Sequence, residues 1–201
     1  HMGLRLAQRA NGVSKLHGAI SRDMWEDVWT GILPEEVPIM SITNGIHITS
    51  WLGKKMRTLL TQYLDIRWDE NPHEAYAWQH VDDIPDAMFW EQHMAQKRLL
   101  IDKVKEKLLS DCVRRGENPQ VIRETVGSLN PDALTIGFAR RFATYKRAGL
   151  LFKDLSRLAD LLGDEKRPVQ FLFAGKAHSA DGAGKALIKE IVQWSRREQL
   201  R

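Results

Sequence analysis

Residues 133–178 read ALTIGFARRFATYKRAGLLFKDLSRLADLLGDEKRPVQFLFAGKAH, and their pattern decides the fold. A short strand of the buried type is predicted at Ala133–Phe138, a helix at Arg147–Leu162 and a second strand at Pro168–Ala174. A further helix is predicted from Gly184 to about Glu198. This alternation predicts the α/β class, with a parallel sheet flanked by helices. The carboxyl ends of both strands then lie at one edge of the sheet, where open α/β sheets bind ligands.

The segment after the first strand carries four cations, Arg140, Arg141, Lys146 and Arg147, beside the predicted helix start. The amino terminus of a helix is already electropositive, so clustered cations there are unfavourable unless an anion lies between them. Arginine binds phosphate oxygens through a planar fork and lysine through a compact charge, so we expect Arg141 and Lys146 to form a phosphate clamp. Alternatively, the cations are solvated or pair with carboxylates such as Asp154, and the residues alone do not decide between the two.

The second strand ends in Ala174-Gly175-Lys176-Ala177-His178, at the same predicted edge. Gly175 would allow a ligand or another backbone to approach closely. A tight turn that needs the glycine only for its backbone angles is the simpler explanation, and we favour it for this segment taken alone.

The amino-terminal part of the chain has a different pattern. Residues 4–30 have a helical pattern that is interrupted at Asn11-Gly12. A strand is predicted at Ile39–Ile42, ending at the turn signal Thr43-Asn44-Gly45. A helical run follows from Gly53 to about Leu64.

One long amphipathic helix is predicted from Asp86 to Arg115. Its apolar positions recur at spacings of three and four: Ile101, Val104, Leu108 and Cys112. Gly116 and the residues after it stop the helix, and residues 128–132 have the composition of a hinge. A domain boundary is therefore predicted near Pro131.

Composition limits the classes of function. The 201 residues include 30 Lys and Arg against 26 Asp and Glu, and the net charge of +4 favours anionic ligands without naming one. The cations are interrupted by carboxylates, which argues against a nucleic-acid binder. No uncharged apolar run approaches the roughly 18 to 20 residues that span a bilayer. The single cysteine, Cys112, cannot form an internal disulfide, so a reducing compartment, by default the cytoplasm, is expected.

Several common site motifs are incomplete in the sequence. Gly182-Ala183-Gly184-Lys185 lacks the first glycine and the hydroxyl residue of a P-loop, and His73-Glu74 lacks the second histidine of a zinc-protease helix. With one cysteine, a structural zinc site is not expected, and no metal ligand is predicted. The seven tryptophans, among them Trp51 and Trp68, can stack on sugar rings, although burial is their commoner use. His1-Met2 is typical of a cleaved tag.

Three blocks of sequence resemble the α-glucan phosphorylases, particularly the shorter bacterial and archaeal type. They are Asn11-Gly12-Val13-Ser14-Lys15-Leu16-His17-Gly18, then Ile42-Thr43-Asn44-Gly45-Ile46-His47 with Trp51-Leu52, then Gly137 to Arg147 continuing into Phe173–His178. Their order and separation also agree with the family. The resemblance implies reversible phosphorolysis of α-1,4-glucan ends by inorganic phosphate, releasing glucose 1-phosphate.

The resemblance also implies a fold and a cofactor. Members are glycosyltransferases of the GT-B type, with two Rossmann-like domains facing across a cleft. Residues 3–130 would end the amino-terminal catalytic domain, and residues 131–201 would be the first βαβα unit of the second domain. Pyridoxal 5′-phosphate would act through its own phosphate as a proton partner of the substrate phosphate. The family's Schiff-base lysine lies beyond Arg201, so we expect a fragment that is inactive alone, from a parent that forms a homodimer.

The site residues follow from the resemblance, position by position. Arg141 and Lys146 match the ligands of the substrate phosphate, and Arg140 matches a family lysine near the cofactor phosphate. Tyr145 matches a contact to a glucosyl hydroxyl, and His17 matches the histidine that lines the glucosyl pocket. Without the neighbouring motif, His17 would be interpreted as a capped turn histidine.

Two other functions stay open at this point. A nucleotide-sugar glycosyltransferase with the same two-domain fold would hold a diphosphate in the basic segment, although the blocks around His17 and Asn44 argue against it. A non-catalytic carbohydrate- or anion-binding module would keep the cleft wall without the reaction. Many relatives have glutamate where this chain has Ala19 and proline where it has Ser179, so the local loop shapes are also open.

Overall fold

A computed structural model of the chain describes residues 1–197 and Leu200. It contains two small sheets, both parallel, with helices beside them. The predicted α/β class is therefore confirmed. None of the helices in that part of the chain is both long enough and apolar enough to cross a membrane.

The chain divides into two compact units. The first unit consists of His1–Leu52 with Arg67–Ala77, and the second consists of Gly53–Ile66 with the chain from Trp78 onward. The predicted boundary near Pro131 lies inside the second unit. As a division of a longer protein into domains, that boundary remains a prediction.

The first unit is built around a pair of short parallel strands. Its elements are α1 (Met2–Leu6), β1 (Ala10–Gly12), α2 (Lys15–Met24), β2 (Ile39–Ser41) and α3 (Ile48–Trp51). Gly12 lies opposite Ser41, so β1 and β2 end level with each other. The predicted strand from Ile39 is confirmed, whereas the predicted interruption at Asn11-Gly12 is itself a strand. Asn and Gly are depleted in strands, so β1 gave no period-two signal.

The core of the first unit contains one tryptophan. The buried apolar residues are Val28, Val37, Ile39, Trp68 and Ala77. Trp68 is 1% exposed, whereas Trp51 is 82% exposed. The commoner role of tryptophan, burial, therefore holds for Trp68 and not for Trp51.

The second unit begins with two amphipathic helices. Helix α4 (Lys54–Tyr63) starts after Gly53, and helix α5 (Asp86–Arg114) is the predicted long helix. The predicted inward positions of α5 are buried or half-buried: Ile101, Val104, Leu108 and Cys112. Gly116 has φ 66°, a left-handed value that glycine adopts without strain, and the chain turns there.

Helix α6 (Pro119–Gly127) lies where the sequence analysis predicts only a stop. The Asn118 side chain accepts a hydrogen bond from the Gln120 N–H at 2.8 Å, and Pro119 occupies a first-turn position that needs no donor. Glu117, beside this turn, forms ion pairs with Arg115 and Arg196. Local capping therefore restarts the helix only a few residues after α5 ends.

The second parallel pair has the predicted βαβα order. Strand β3 (Leu134–Ala139) pairs in register with β4 (Val169–Ala174), so the two strands end together. Helix α7 (Leu155–Leu162) connects them, and α8 (Gly182–Trp194) follows β4. The predicted end of that last helix near Glu198 lies outside the described residues.

The prediction of a buried strand at Ala133–Phe138 is wrong for most of its length. Leu134 and Ile136 are 60% and 43% exposed. Phe138, in contrast, packs against the buried Phe142 and Ile191. In the part of the chain that the structure describes, β3 has only β4 beside it, so much of its surface stays exposed.

The predicted helix at Arg147–Leu162 is wrong in its first half. Residues Ala148–Lys153 form a 3-10 segment, and Arg147 before it has φ 57°. The left-handed conformation of Arg147 interrupts any helical path. The Asp154 side chain then accepts a hydrogen bond from the Arg157 N–H at 3.0 Å, and this cap starts α7.

Candidate functional site

The cationic segment, Arg140–Arg147, lies directly after β3 at the edge where β3 and β4 both end. Thr144–Lys146 forms one 3-10 turn within it. Helix α7 begins only at Leu155, so the prediction that these cations crowd the start of an α-helix is wrong. The cations lie instead in a compact loop at the carboxyl edge of the sheet, which is the position that favours ligand binding.

The four cations of this segment have no carboxylate partner within the described chain. Arg140, Arg141 and Arg147 are exposed and Lys146 is half-buried. The ion pairs found among residues 1–197 and Leu200 involve other residues. Of the two alternatives raised by the sequence, pairing with Asp154 is wrong, because that carboxylate caps α7 and is in none of these ion pairs, whereas solvation agrees with the exposure of the three arginines. The uncompensated charge therefore suits an anionic ligand.

Tyr145 is the aromatic member of the cationic segment. Its side chain is 66% exposed. The Lys146 Nζ lies 4.6 Å from the centre of the Tyr145 ring, which is within cation–π distance. The contact limits the directions that the ammonium group takes, so Tyr145 and Lys146 present a ring and a charge side by side.

Phe142 anchors the cationic segment to the rest of the unit. Its ring is 5% exposed and lies 5.5 Å from the ring of Phe138, centre to centre. The Phe142 N–H donates to the Lys176 carbonyl oxygen at 2.9 Å, in the segment that follows β4. Ala148, at the other end of the cationic segment, is also buried in this cluster. The backbone is therefore fixed while the charged side chains point outward.

Two glycines lie in close contact with the backbone of the cationic segment. A Cβ atom on Gly175 would overlap the carbonyl oxygen of Arg140, and a Cβ atom on Gly184 would overlap the carbonyl oxygen of Phe142. Gly175 does not have a positive φ. The favoured interpretation of Gly175 as a turn glycine is therefore wrong, and close approach of another backbone is the reason for it.

The segment after β4 is held by its own polar contacts. The His178 Nδ1 accepts from the Ala180 N–H at 3.1 Å, and the Asp181 side chain accepts from the Gly184 N–H at 2.8 Å. The Lys185 ammonium donates to the Ser179 carbonyl oxygen at 2.6 Å. This segment is therefore a defined turn into α8, even with serine at position 179.

His17, in the first unit, lies in the first turn of α2. Its N–H donates to the Ser14 hydroxyl at 3.1 Å, and its Nδ1 accepts from the Val13 N–H at 3.0 Å. In the neutral ring the proton must then be on Nε2. The ring is exposed, so His17 is a capped turn histidine that also offers an outward hydrogen-bond donor.

The Asn44 segment, for which no site role is predicted from the sequence, lies beside this histidine turn. The Ile42 N–H donates to the Gly12 carbonyl oxygen at 2.9 Å, and the Asn44 N–H donates to that of Val13 at 3.1 Å. The Asn-Gly pair at positions 44 and 45 was the available signal, because it marked a sharp change of direction after β2.

The predicted site residues fall into two groups. Arg140, Arg141, Tyr145 and Lys146 lie together in the cationic segment of the second unit. His17 belongs to the first unit. Their roles toward phosphate, cofactor and sugar remain predictions.

Comparison with known proteins identifies relatives along the whole chain. It is 41% identical over all 201 residues to a glycogen phosphorylase of Mycobacterium tuberculosis. It is also 38% identical over 194 residues to a maltodextrin phosphorylase of Thermococcus litoralis, and 38% over 195 residues to a glycogen phosphorylase of Aquifex aeolicus. No family model matches the chain.

The matched region is a minor part of each relative. The alignments cover between 96% and 100% of this chain but only 23% to 28% of those proteins. The chain thus spans about a quarter of their length. Across its whole length, it corresponds to a segment of the α-glucan phosphorylases.

Proposed function

We propose that the protein to which this chain belongs is an α-1,4-glucan phosphorylase, which releases glucose 1-phosphate from glucan ends with inorganic phosphate. The observation that carries the proposal is the cationic segment Arg140–Arg147, which lies without carboxylate partners at the carboxyl edge of β3 and β4. The chain that contains it is 41% identical to a glycogen phosphorylase along its full length.

Arg141 and Lys146 are the proposed ligands of the substrate phosphate. The guanidinium of Arg141 is exposed and offers paired N–H donors to phosphate oxygens. The Lys146 ammonium, steered by the Tyr145 ring at 4.6 Å, supplies a compact charge. An arginine and a lysine on one loop would then neutralise the charge of the bound phosphate. Because the backbone of that loop is already held in place, no free energy is needed to reorganise it when phosphate binds.

The residues present also fit the phosphate group of pyridoxal 5′-phosphate. Arg140 is exposed, adjoins Arg141 and has no carboxylate within ion-pair distance among the described residues. We propose that Arg140 faces the cofactor phosphate. When bound, that phosphate supplies a proton partner for the substrate phosphate. Two anions held close together repel each other, and the four cations of this segment offset that repulsion.

His17 and Tyr145 are the proposed contacts to the glucosyl unit. Because the Val13 N–H occupies Nδ1 of His17, the ring is held with Nε2–H facing outward, ready to donate to a sugar hydroxyl. The two residues lie in different units. The GT-B arrangement of two Rossmann-like domains, divided near Pro131, is proposed from the similarity to the phosphorylases alone. A cytoplasmic location, for which the buried free thiol of Cys112 gives support, and a homodimer complete the proposal.

Replacing Arg141 by alanine in the complete enzyme tests the phosphate site. Charge-assisted hydrogen bonds contribute about 1.5 to 3 kcal/mol, so the KM for inorganic phosphate should rise at least about tenfold while the KM for glucan changes little. Arg123→Ala, which removes an exposed arginine on α6, is the matched control. Equal phosphate kinetics in Arg141→Ala and the parent would remove Arg141 from the site. Tight binding of a nucleotide sugar, with none of phosphate, would instead support a nucleotide-sugar glycosyltransferase.

A further inference from the structure

We propose that Gly175 and Gly184 are positioning residues for the phosphate site, and that the segment between them sets phosphate affinity without contacting phosphate. The proposal rests on the phosphate-binding role given above to Arg141. Its basis is that the two glycines, which have no side chain, lie in close contact with the backbone on either side of that arginine.

Gly175 receives the backbone immediately before Arg141. A Cβ at position 175 would overlap the Arg140 carbonyl oxygen, and it would also lie 3.1 Å from the Arg140 carbonyl carbon and 3.1 Å from Cε2 of the Phe142 ring. The obstacle is backbone, which has no rotamer by which to move aside. Any side chain at 175 therefore displaces the cationic segment, or the turn after β4, or both.

Gly184 receives the backbone immediately after Arg141. A Cβ there would overlap the Phe142 carbonyl oxygen and would lie 2.9 Å from the Asp181 Oδ2 and 3.1 Å from the Ala177 Cβ. Gly184 is buried in the first turn of α8, and its N–H is held by the Asp181 side chain. The first turn of α8 is therefore fixed, and the lack of a side chain at Gly184 lets the cationic segment pack directly against it.

Arg141 lies between these two contacts, and a third contact locks them. The Phe142 N–H donates to the Lys176 carbonyl oxygen, and the Phe142 ring is buried. The carbonyl groups of the two residues that flank Arg141, Arg140 and Phe142, are thus both set by the β4–α8 segment. When a group that binds or orients the substrate moves by about 1 Å, the rate of the reaction can fall by up to about a hundredfold.

The test uses the complete, cofactor-loaded enzyme with Gly175→Ala and Gly184→Ala. Gly182→Ala is the matched control, because it changes a glycine of the same helix whose Cβ would meet nothing within 4 Å. We expect each of the first two variants to raise the KM for inorganic phosphate at least about tenfold while the KM for glucan stays within about twofold. The control should keep both values. Unchanged phosphate KM, or an equal loss against both substrates with a lowered Tm, would overturn the proposal.

Two further measurements keep failure of this inference separate from failure of the proposed function. If neither alanine variant folds, Phe142→Leu loosens the same contacts without adding a clash, and a phosphate KM equal to that of the parent enzyme would overturn the proposal. If the parent enzyme performs no phosphorolysis, the proposed function fails. Calorimetric titration of inorganic phosphate into the parent and variant proteins then decides whether the two glycines position an anion site, because equal affinities would exclude it.

Discussion

The two units share one backbone arrangement at the ends of their parallel strands, but the side chains there differ in charge. In each, two parallel strands end level, and glycines let a following helix or turn contact the loop closely: Gly12 with Gly18 in the first unit, Gly175 with Gly184 in the second. In each, main-chain hydrogen bonding joins the two strand exits, from Ile42 to Gly12 and from Asn44 to Val13 in the first unit, and from Phe142 to Lys176 in the second.

The side chains at these two edges are unlike. The first presents His17, a ring whose Nδ1 is already occupied by a backbone N–H. The second presents the cationic segment, whose charges no carboxylate of residues 1–197 or Leu200 compensates. The two edges are therefore similar in backbone and differ in side-chain chemistry: the first offers a hydrogen-bond donor, and the second offers a group of cations.

The largest effect on stability is expected at Gly12. A Cβ there would overlap the Gly18 backbone nitrogen and lie 2.7 Å from the Gly18 Cα. We expect Gly12→Ala to lower the free energy of unfolding by about 2 to 3 kcal/mol, because neither backbone can yield without moving α2 from β1. Chemical denaturation of the chain, followed by tryptophan fluorescence, measures it.

Gly45→Ala is the control for Gly12, since its Cβ would meet nothing within 4 Å. It should change stability by no more than about 0.5 kcal/mol. Equal stabilities for the two variants would show that the first unit does not depend on close backbone contact, and the parallel between the two units would fail.

A smaller effect separates the two roles of His17. Asparagine can keep an acceptor near the Val13 N–H, whereas alanine cannot, so His17→Ala should lose about 0.5 to 1.5 kcal/mol of stability and His17→Asn clearly less. In the complete enzyme both variants lose the Nε2–H donor, and both should weaken glucan use. Full glucan activity in His17→Asn would restrict His17 to its structural role.

The smallest effect concerns a carboxylate that does compensate cations. A hydrogen bond from Lys107, with the charges of Lys107, Arg114 and Arg115, holds the pKa of Asp111 below its ordinary value, despite partial burial that acts in the opposite direction. Lys107 Nζ lies 2.5 Å and Arg114 Nη2 lies 2.9 Å from its oxygens. In this cluster on α5 a carboxylate pairs with the neighbouring cations, in contrast to the cationic segment.

Because the pKa of Asp111 is lower in the folded chain, its contribution to stability is present above about pH 4 and is lost as the pH falls through the folded pKa. Asp111→Asn removes that contribution. The variant should therefore lose less stability than the parent between about pH 5 and pH 2, as measured by denaturation at each pH. Identical acid profiles would show that the ion pairs contribute nothing.

The elements that the sequence predicts well are long or strongly periodic. The stripe of α5 and the apolar runs of β3 and β4 carry enough repeated signal to fix their type and their order. Strand β1, with Asn11 and Gly12, carries almost none, and it forms because β2 provides a partner. The capping residues Asp154 and Asn118 are visible in the sequence, but Asp154 lies inside the pattern that predicts one helix over Arg147–Leu162, and Asn118 is interpreted as part of the stop after α5.

The site is only partly readable from the sequence for a related reason. The cations at positions 140, 141, 146 and 147 and their place at the sheet edge follow from residue types and strand order. The role of Gly175 does not, because the atom it accommodates, the Arg140 carbonyl oxygen, is remote in sequence. Likewise, Nδ1 of His17 is committed to Val13 through a turn geometry that composition does not specify.

The most direct test of the central claim is the phosphate dependence of glucan breakdown by the complete, cofactor-loaded enzyme, read as glucose 1-phosphate formed. The expected result is product only with inorganic phosphate present, with a phosphate KM that rises when Arg141 becomes alanine. Glucan cleavage that proceeds equally well without phosphate, or no release of glucose 1-phosphate at any phosphate concentration, would contradict it.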